Sequence, residues 1–122
     1  MVFIKMKIRA DFVTNSSSTA YYITNKSDKM KTIVDFVKEN LNILKEFNEE
    51  YGYEYTEEEL IKSAQDLLDN SKDMFKSIKP GQVRLMGFGD EDGTVIGHVF
   101  DYGLRDGGKS ESFEYEFYEY WR

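Results

Sequence analysis

Thr94-Val95-Ile96-Gly97-His98-Val99-Phe100-Asp101-Tyr102 is the stretch on which the fold turns. Its β-branched and aromatic residues suit a pleated surface. Read with period two, it places Ile96, His98, Phe100 and Tyr102 on one side, which predicts a half-buried strand. Val83 to Phe88 upstream and Ser112 to Trp121 downstream have the same character. Asp92-Gly93 and Asp106-Gly107-Gly108 lie between them as hairpin signals. Three consecutive strands therefore follow Lys79-Pro80-Gly81, a stop for whatever precedes it.

What precedes it is helical. Met30, Ile33, Val34, Val37, Leu41, Leu44 and Tyr51 recur at three- and four-residue steps, with Ser27 or Asp28 available as N-cap and Gly52 at the end. Thr56-Glu57-Glu58-Glu59 reads as a capping box whose acids also suit the helix dipole. Leu60, Ala64, Leu67, Leu68, Phe75 and Ile78 mark the second helix. Nearer the N-terminus the period returns to two: Val2, Ile4, Met6, Ile8, Ala10 and Phe12 alternate with Lys5, Lys7, Arg9 and Asp11. Thr19 to Ile23 reads as another strand, with the polar run Asn15-Ser16-Ser17-Ser18 in the connection. The order ββ-αα-βββ predicts an α+β fold. It would be one domain over 1–122, with a mainly antiparallel sheet of about five strands and two helices packed on one face.

The chain has 122 residues, no cysteine and a net charge of −7. Absence of cysteine removes disulfides, thiol catalysis and Cys-ligated zinc, and suits a reducing cytoplasm. Lys5, Lys7 and Arg9 interrupt the N-terminal apolar residues, so no signal-peptide core is expected, and no window has the length of a membrane span. The charge is uneven: residues 1–32 balance at +4, residues 33–80 at −6 and residues 81–122 at −5. Nucleic-acid affinity rests on neutralising phosphates, so an acidic chain is a poor candidate for it.

Met6-Lys7-Ile8-Arg9 followed by Asp11-Phe12-Val13-Thr14-Asn15-Ser16-Ser17-Ser18 resembles an N-terminal signature of uncharacterised proteins from bacteria, archaea and phages. In those proteins a longer serine run often follows, where Thr19-Ala20 stands here. The resemblance covers roughly the first 25 residues. It implies a prokaryotic or viral origin and no particular activity.

Two readings of the serine run compete. Asn15, Ser16, Ser17 and Ser18 offer hydroxyls and N–H groups to an anion, with Lys5, Lys7 and Arg9 beside them. Equally, the run is a solvated connection making local side chain–backbone bonds. No Gly-rich or Walker-type phosphate fingerprint accompanies it. The basic residues also have a plain role if the last strand pairs with the first, placing Glu114 and Glu116 across from them.

His98 is the sole histidine, and a serine nucleophile would require it as base. Its aromatic neighbours and the absence of a Gly-x-Ser-x-Gly motif favour a packed, hydrogen-bonded ring. Asp90-Glu91-Asp92-Gly93 supplies hard oxygens, but position 99, where an EF-hand places its bidentate glutamate, is Val99. Glu57-Glu58-Glu59 reads as a cap, since adjacent helical positions do not converge. No metal or cofactor is therefore expected, and no catalytic residue is assigned.

The C-terminal strand is harder to absorb into a core. Phe113, Tyr115 and Phe117 share one parity, while Glu114, Glu116, Tyr118 and Tyr120 share the other, with Trp121 at the end. Exposed aromatics are enriched at interfaces. The expected function is a non-enzymatic interaction module, a small acidic inhibitor or adaptor, acting on a protein partner or on itself through an aromatic-acidic sheet face. The alternative is an anion-binding or phosphoryl-transfer protein using the serine loop and the basic stripe.

Overall fold

The computed structural model describes residues 18–70, 77–89 and 94–121. The expected strand over 2–12 lies outside them. Along the described chain, β1 (Ser18–Asn25) and β2 (Lys31–Thr32) precede three helices, α1 (Ile33–Glu39), α2 (Leu41–Tyr51) and α3 (Glu57–Asn70). Then come β3 (Ser77–Ile78), β4 (Val83–Gly89), α4 (Val95–Gly103), β5 (Gly107–Lys109) and β6 (Phe113–Trp121). The fold is α+β, and its main sheet is antiparallel throughout, with four strands in the order β4-β1-β6-β5. β2 and β3 form a separate antiparallel pair.

β1 is central because both of its faces have work to do. Tyr21, Ile23 and Asn25 are buried on the helix side, where they stand beside Met86 of β4 and Phe113, Tyr115 and Phe117 of β6. Phe36 of α1 presses into that layer, with ring centroids 5.2 Å from Phe113, 5.4 Å from Tyr115 and 5.6 Å from Phe100 of α4, all edge-to-face. Burying such a ring contributes about 2–3 kcal/mol, and each favourable ring pair adds roughly 0.5–1.5 kcal/mol.

The expected strand over 94–102 is instead α4. Ile96, Val99, Phe100 and Leu104 are its buried apolar residues, at helical spacing. Thr94 caps it, its hydroxyl accepting the Gly97 N–H at 3.0 Å. In nine residues both periods find apolar matches, and tertiary burial overrides β-propensity. Ser63 Oγ of α3 accepts the Ile96 N–H at 3.1 Å, tying the two helices together.

The long helix expected from Met30 to Tyr51 is broken at Asn40, which is buried and donates its side-chain amide to the Phe36 carbonyl at 2.8 Å. Its N-cap is Thr32, whose N–H is received by Asp35 Oδ2 at 2.8 Å, not Ser27 or Asp28. Ser27 instead closes a turn on Asn25, whose Oδ1 accepts the Ser27 N–H and hydroxyl at 2.9 and 2.6 Å. Gly52 does end α2, at φ 75°, a left-handed cap that glycine adopts without strain. The Thr56 capping box also forms: Glu59 accepts the Thr56 N–H at 2.8 Å and returns its own N–H to the Thr56 hydroxyl at 3.1 Å.

Ile78 does not extend α3. It pairs with Lys31 across β2 and β3, and its carbonyl accepts from Asn25 Nδ2 at 2.8 Å. Gly107 and Gly108, expected as a turn, lie in β5, and the chain reverses at Ser110–Ser112. Glu39 holds that reversal, accepting the Ser110 hydroxyl at 2.8 Å and the Ser112 N–H at 2.7 Å. Burial pushes the Glu39 carboxyl up, but the hydrogen bonds from Ser112 and Ser110 and the charge of Lys31 outweigh it and hold it below its ordinary value.

Candidate interaction surface

The residues of opposite parity form the second face of the sheet, and no described element covers it. In ladder register, Tyr22 stands between Leu85 and Glu116, and Thr24 between Val83 and Glu114. Val83 is 52 % exposed, Leu85 39 % and Tyr118 45 %, a large share for apolar and aromatic side chains. Tyr22 and Tyr118 hold each other with centroids 4.9 Å apart. Ala20 and Gly89 are buried members of this parity, at the end near a register shift. A shallow hollow of about 210 Å³ runs between Tyr22, Thr24, Glu114 and Glu116. Glu114 pairs with Lys26 at 3.6 Å across an exposed pair and stands beside Lys109 in the ladder.

That register shift separates two residues expected on one face. Tyr21 pairs with Phe117 and Ala20 with Glu119, leaving Tyr118 as an extra residue in β6. Such a bulge inverts parity beyond it. Tyr118 therefore joins Tyr22 on the open face, while Tyr120 falls opposite Thr19 on the helix side, its ring 5.2 Å from Phe117. Trp121 pairs with Ser18.

Of the proposed anion site, Ser18 is the one member within the described residues, and it is a ladder residue of β1 paired with Gly89 and Trp121. Asn15, Ser16, Ser17, Lys5, Lys7 and Arg9 lie outside them. The pairing expected between the last strand and those cations is not available: the positions flanking Glu114 are Thr24 and Lys109, and those flanking Glu116 are Tyr22 and Gly107.

His98 sits on α4, not on a strand, and it is packed as expected. Its Nδ1 lies 2.9 Å from the Tyr55 hydroxyl, and its ring meets Tyr53 at 4.7 Å and Phe47 at 5.1 Å, both edge-to-face. The Tyr55 and Tyr118 hydroxyls give up their protons less readily than an ordinary phenol. Burial first, and then Tyr53 and Glu59, push the Tyr55 hydroxyl up, and Glu119 does the same for Tyr118. Asp90, Glu91, Asp92 and Gly93 lie outside the described residues. Among the described residues no group of three or more His, Cys, Asp or Glu side chains is placed to hold a metal ion. No helix among them is long and apolar enough to cross a membrane.

Sequence reasoning missed Tyr22, Val83 and Leu85 as surface residues. β4 is apolar on both parities, with Met86 and Phe88 inward and Val83 and Leu85 outward, so alternation gave no contrast to read. The chain matches no protein-family model, no curated protein and no solved structure.

Proposed function

We propose that this chain is a non-enzymatic interaction protein that docks a basic protein surface on the open face of its sheet. The observation that carries the reading is the strip Val83–Leu85–Tyr22–Tyr118, exposed except for the half-buried Tyr22 and bordered by Glu114, Glu116 and Glu119. Apolar and aromatic groups supply the desolvated centre of an interface, and surrounding acids supply complementarity to a cationic partner. A net charge of −7 steers such a partner toward the molecule. An inhibitor or adaptor in a prokaryotic or phage-infected cytoplasm fits this chemistry.

The test is a nuclease-treated pull-down from the native host. Wild type is compared with Leu85→Ala/Tyr118→Ala, with Glu114→Gln/Glu116→Gln, and with Lys62→Ala on α3. A specific partner is lost with the first variant, weakened by the second and by raising salt from about 50 to about 500 mM, and retained by the third. Capture indifferent to the open-face variants refutes the proposal.

A further inference from the structure

The two edges of the main sheet are unlike. At one, β5 is three residues long and ends in Lys109, a short charged border of the kind that discourages further pairing. At the other, β4 runs seven residues with neither proline nor lysine, and among the described residues no strand lies beyond it. The ladder fixes where its free groups are. The Asn25 N–H donates to the Gln82 carbonyl at 3.0 Å, so Arg84, Met86 and Phe88 turn their backbone groups toward β1. Val83, Leu85 and Gly87 therefore turn theirs outward, and all three residues are exposed. α4 closes one end of this border, where Gly97 lies against the Gly89 carbonyl. A turn in which the Gln82 N–H donates to the Lys79 carbonyl closes the other. The stretch from Val83 to Gly87 is left open.

Arg84 decides what this border takes. It stands beside Ile23 in the ladder, on the helix side with Met86, and it is half-buried. Its Nε is buried without a hydrogen-bond partner, and no ion pair among the described residues includes it. A guanidinium in that position discriminates between incoming strands. One with an apolar residue across from Arg84 would take more of the cation out of water and return nothing. One with a carboxylate there supplies a charge-assisted hydrogen bond. β4 itself contains no acid, so a second copy of β4 paired edge to edge cannot supply one.

A peptide that adds to a free sheet edge gains main-chain hydrogen bonds, and the side chains alternating along it set its specificity. We infer that the outer edge of β4 binds an extended segment of a partner protein, with a glutamate or aspartate across from Arg84 and an apolar residue on either side of that acid. In antiparallel register the acid forms a non-hydrogen-bonded pair with Arg84, the pair type in which side chains lie closer. Its two neighbours then stand opposite Val83 and Leu85 on the open side of the sheet. This goes beyond the docking of a basic surface. The edge uses backbone groups and a cation, where the open face uses exposed side chains and acids, so each can fail alone.

The test is titration of the isotopically labelled full chain with a capped peptide of about seven residues centred on valine–glutamate–valine, followed by amide NMR shifts. Peptides with glutamine or lysine in place of the glutamate are compared with it. The glutamate peptide shifts the Val83, Leu85 and Gly87 amides with a dissociation constant of order millimolar, about tenfold below that of the glutamine peptide, and the lysine peptide does not bind. Arg84→Gln abolishes the preference for glutamate over glutamine, while Glu114→Gln/Glu116→Gln leaves it in place. The peptide comparison on wild type decides the case even where a variant fails to fold. Shifts confined to residues away from β4, equal binding of the glutamate and glutamine peptides, a preference that survives Arg84→Gln, or no binding of any peptide overturns the inference. Binding seen only in Ile4→Pro/Ile8→Pro also overturns it, because the chain's own N-terminal residues would then hold the edge.

Discussion

Gly97→Ala separates a helical reading of residues 94–102 from a strand reading by the sign of its effect. Gly97 sits in the first turn of α4 against the end of β4. A Cβ added there would lie 2.4 Å from the Gly89 carbonyl oxygen and 2.7 Å from Thr94 Oγ1. The first neighbour is backbone of the central sheet's edge strand, and the second is the hydroxyl that caps α4. Alanine gains about 1 kcal/mol over glycine in a helix. Against that stand about 1–3 kcal/mol of overpacking and about 1 kcal/mol for a displaced cap. The net is a loss of about 1–3 kcal/mol, read as a lower urea midpoint at unchanged slope. In a strand the same change would stabilise by about 0.5–1 kcal/mol. A midpoint at or above wild type therefore refutes the packing described for α4.

Other perturbations test separate parts of the account. Asn25→Ala removes a buried amide that donates to the Lys29 and Ile78 carbonyls at 2.7 and 2.8 Å; thermal melts should show a loss of about 2–4 kcal/mol. Glu39→Gln should cost about 1–2 kcal/mol near neutral pH. Because the folded Glu39 carboxyl is held low, its contribution is present above its unfolded value and is lost as pH falls through the folded one. The gap between variant and wild type in melts should thus close on acidification, and a gap that widens contradicts the assignment. Tyr118→Ala, on the open face, should change stability by no more than about 1 kcal/mol, measured by the same melts; a larger loss would mean that Tyr118 is a core residue.

The sequence spoke clearly where one physical cause dominated. Thr56 and Glu59 form the reciprocal cap their spacing announces. β1 and β6 alternate strongly, and their strand character was legible. Where two causes competed, the pattern misled. Thr94 to Tyr102 satisfies both periods, and only the packing of α4 against β4, α2 and α3 selects the helix. Asn40 breaks a continuous apolar stripe by bonding its own preceding turn, an effect invisible in hydrophobic spacing. The bulge at Tyr118 is a matter of register between two strands far apart in sequence, so the division of Tyr118 from Tyr120 could not be read from either strand alone. For the same reason the open face was anticipated through Glu114, Glu116 and Tyr118 but not through Tyr22, Val83 and Leu85.

Site-directed photo-crosslinking in the native host is the decisive test of docking on the open sheet, with a photoreactive residue placed in turn at Leu85, at Tyr118 and at Lys62 as the α3 control. Docking on the open sheet gives a discrete adduct from Leu85 and Tyr118 to one protein through a basic segment, and none from Lys62. Adducts of equal yield from Lys62, or open-face adducts consisting solely of a second copy of this chain, would contradict docking of a basic partner on the open sheet.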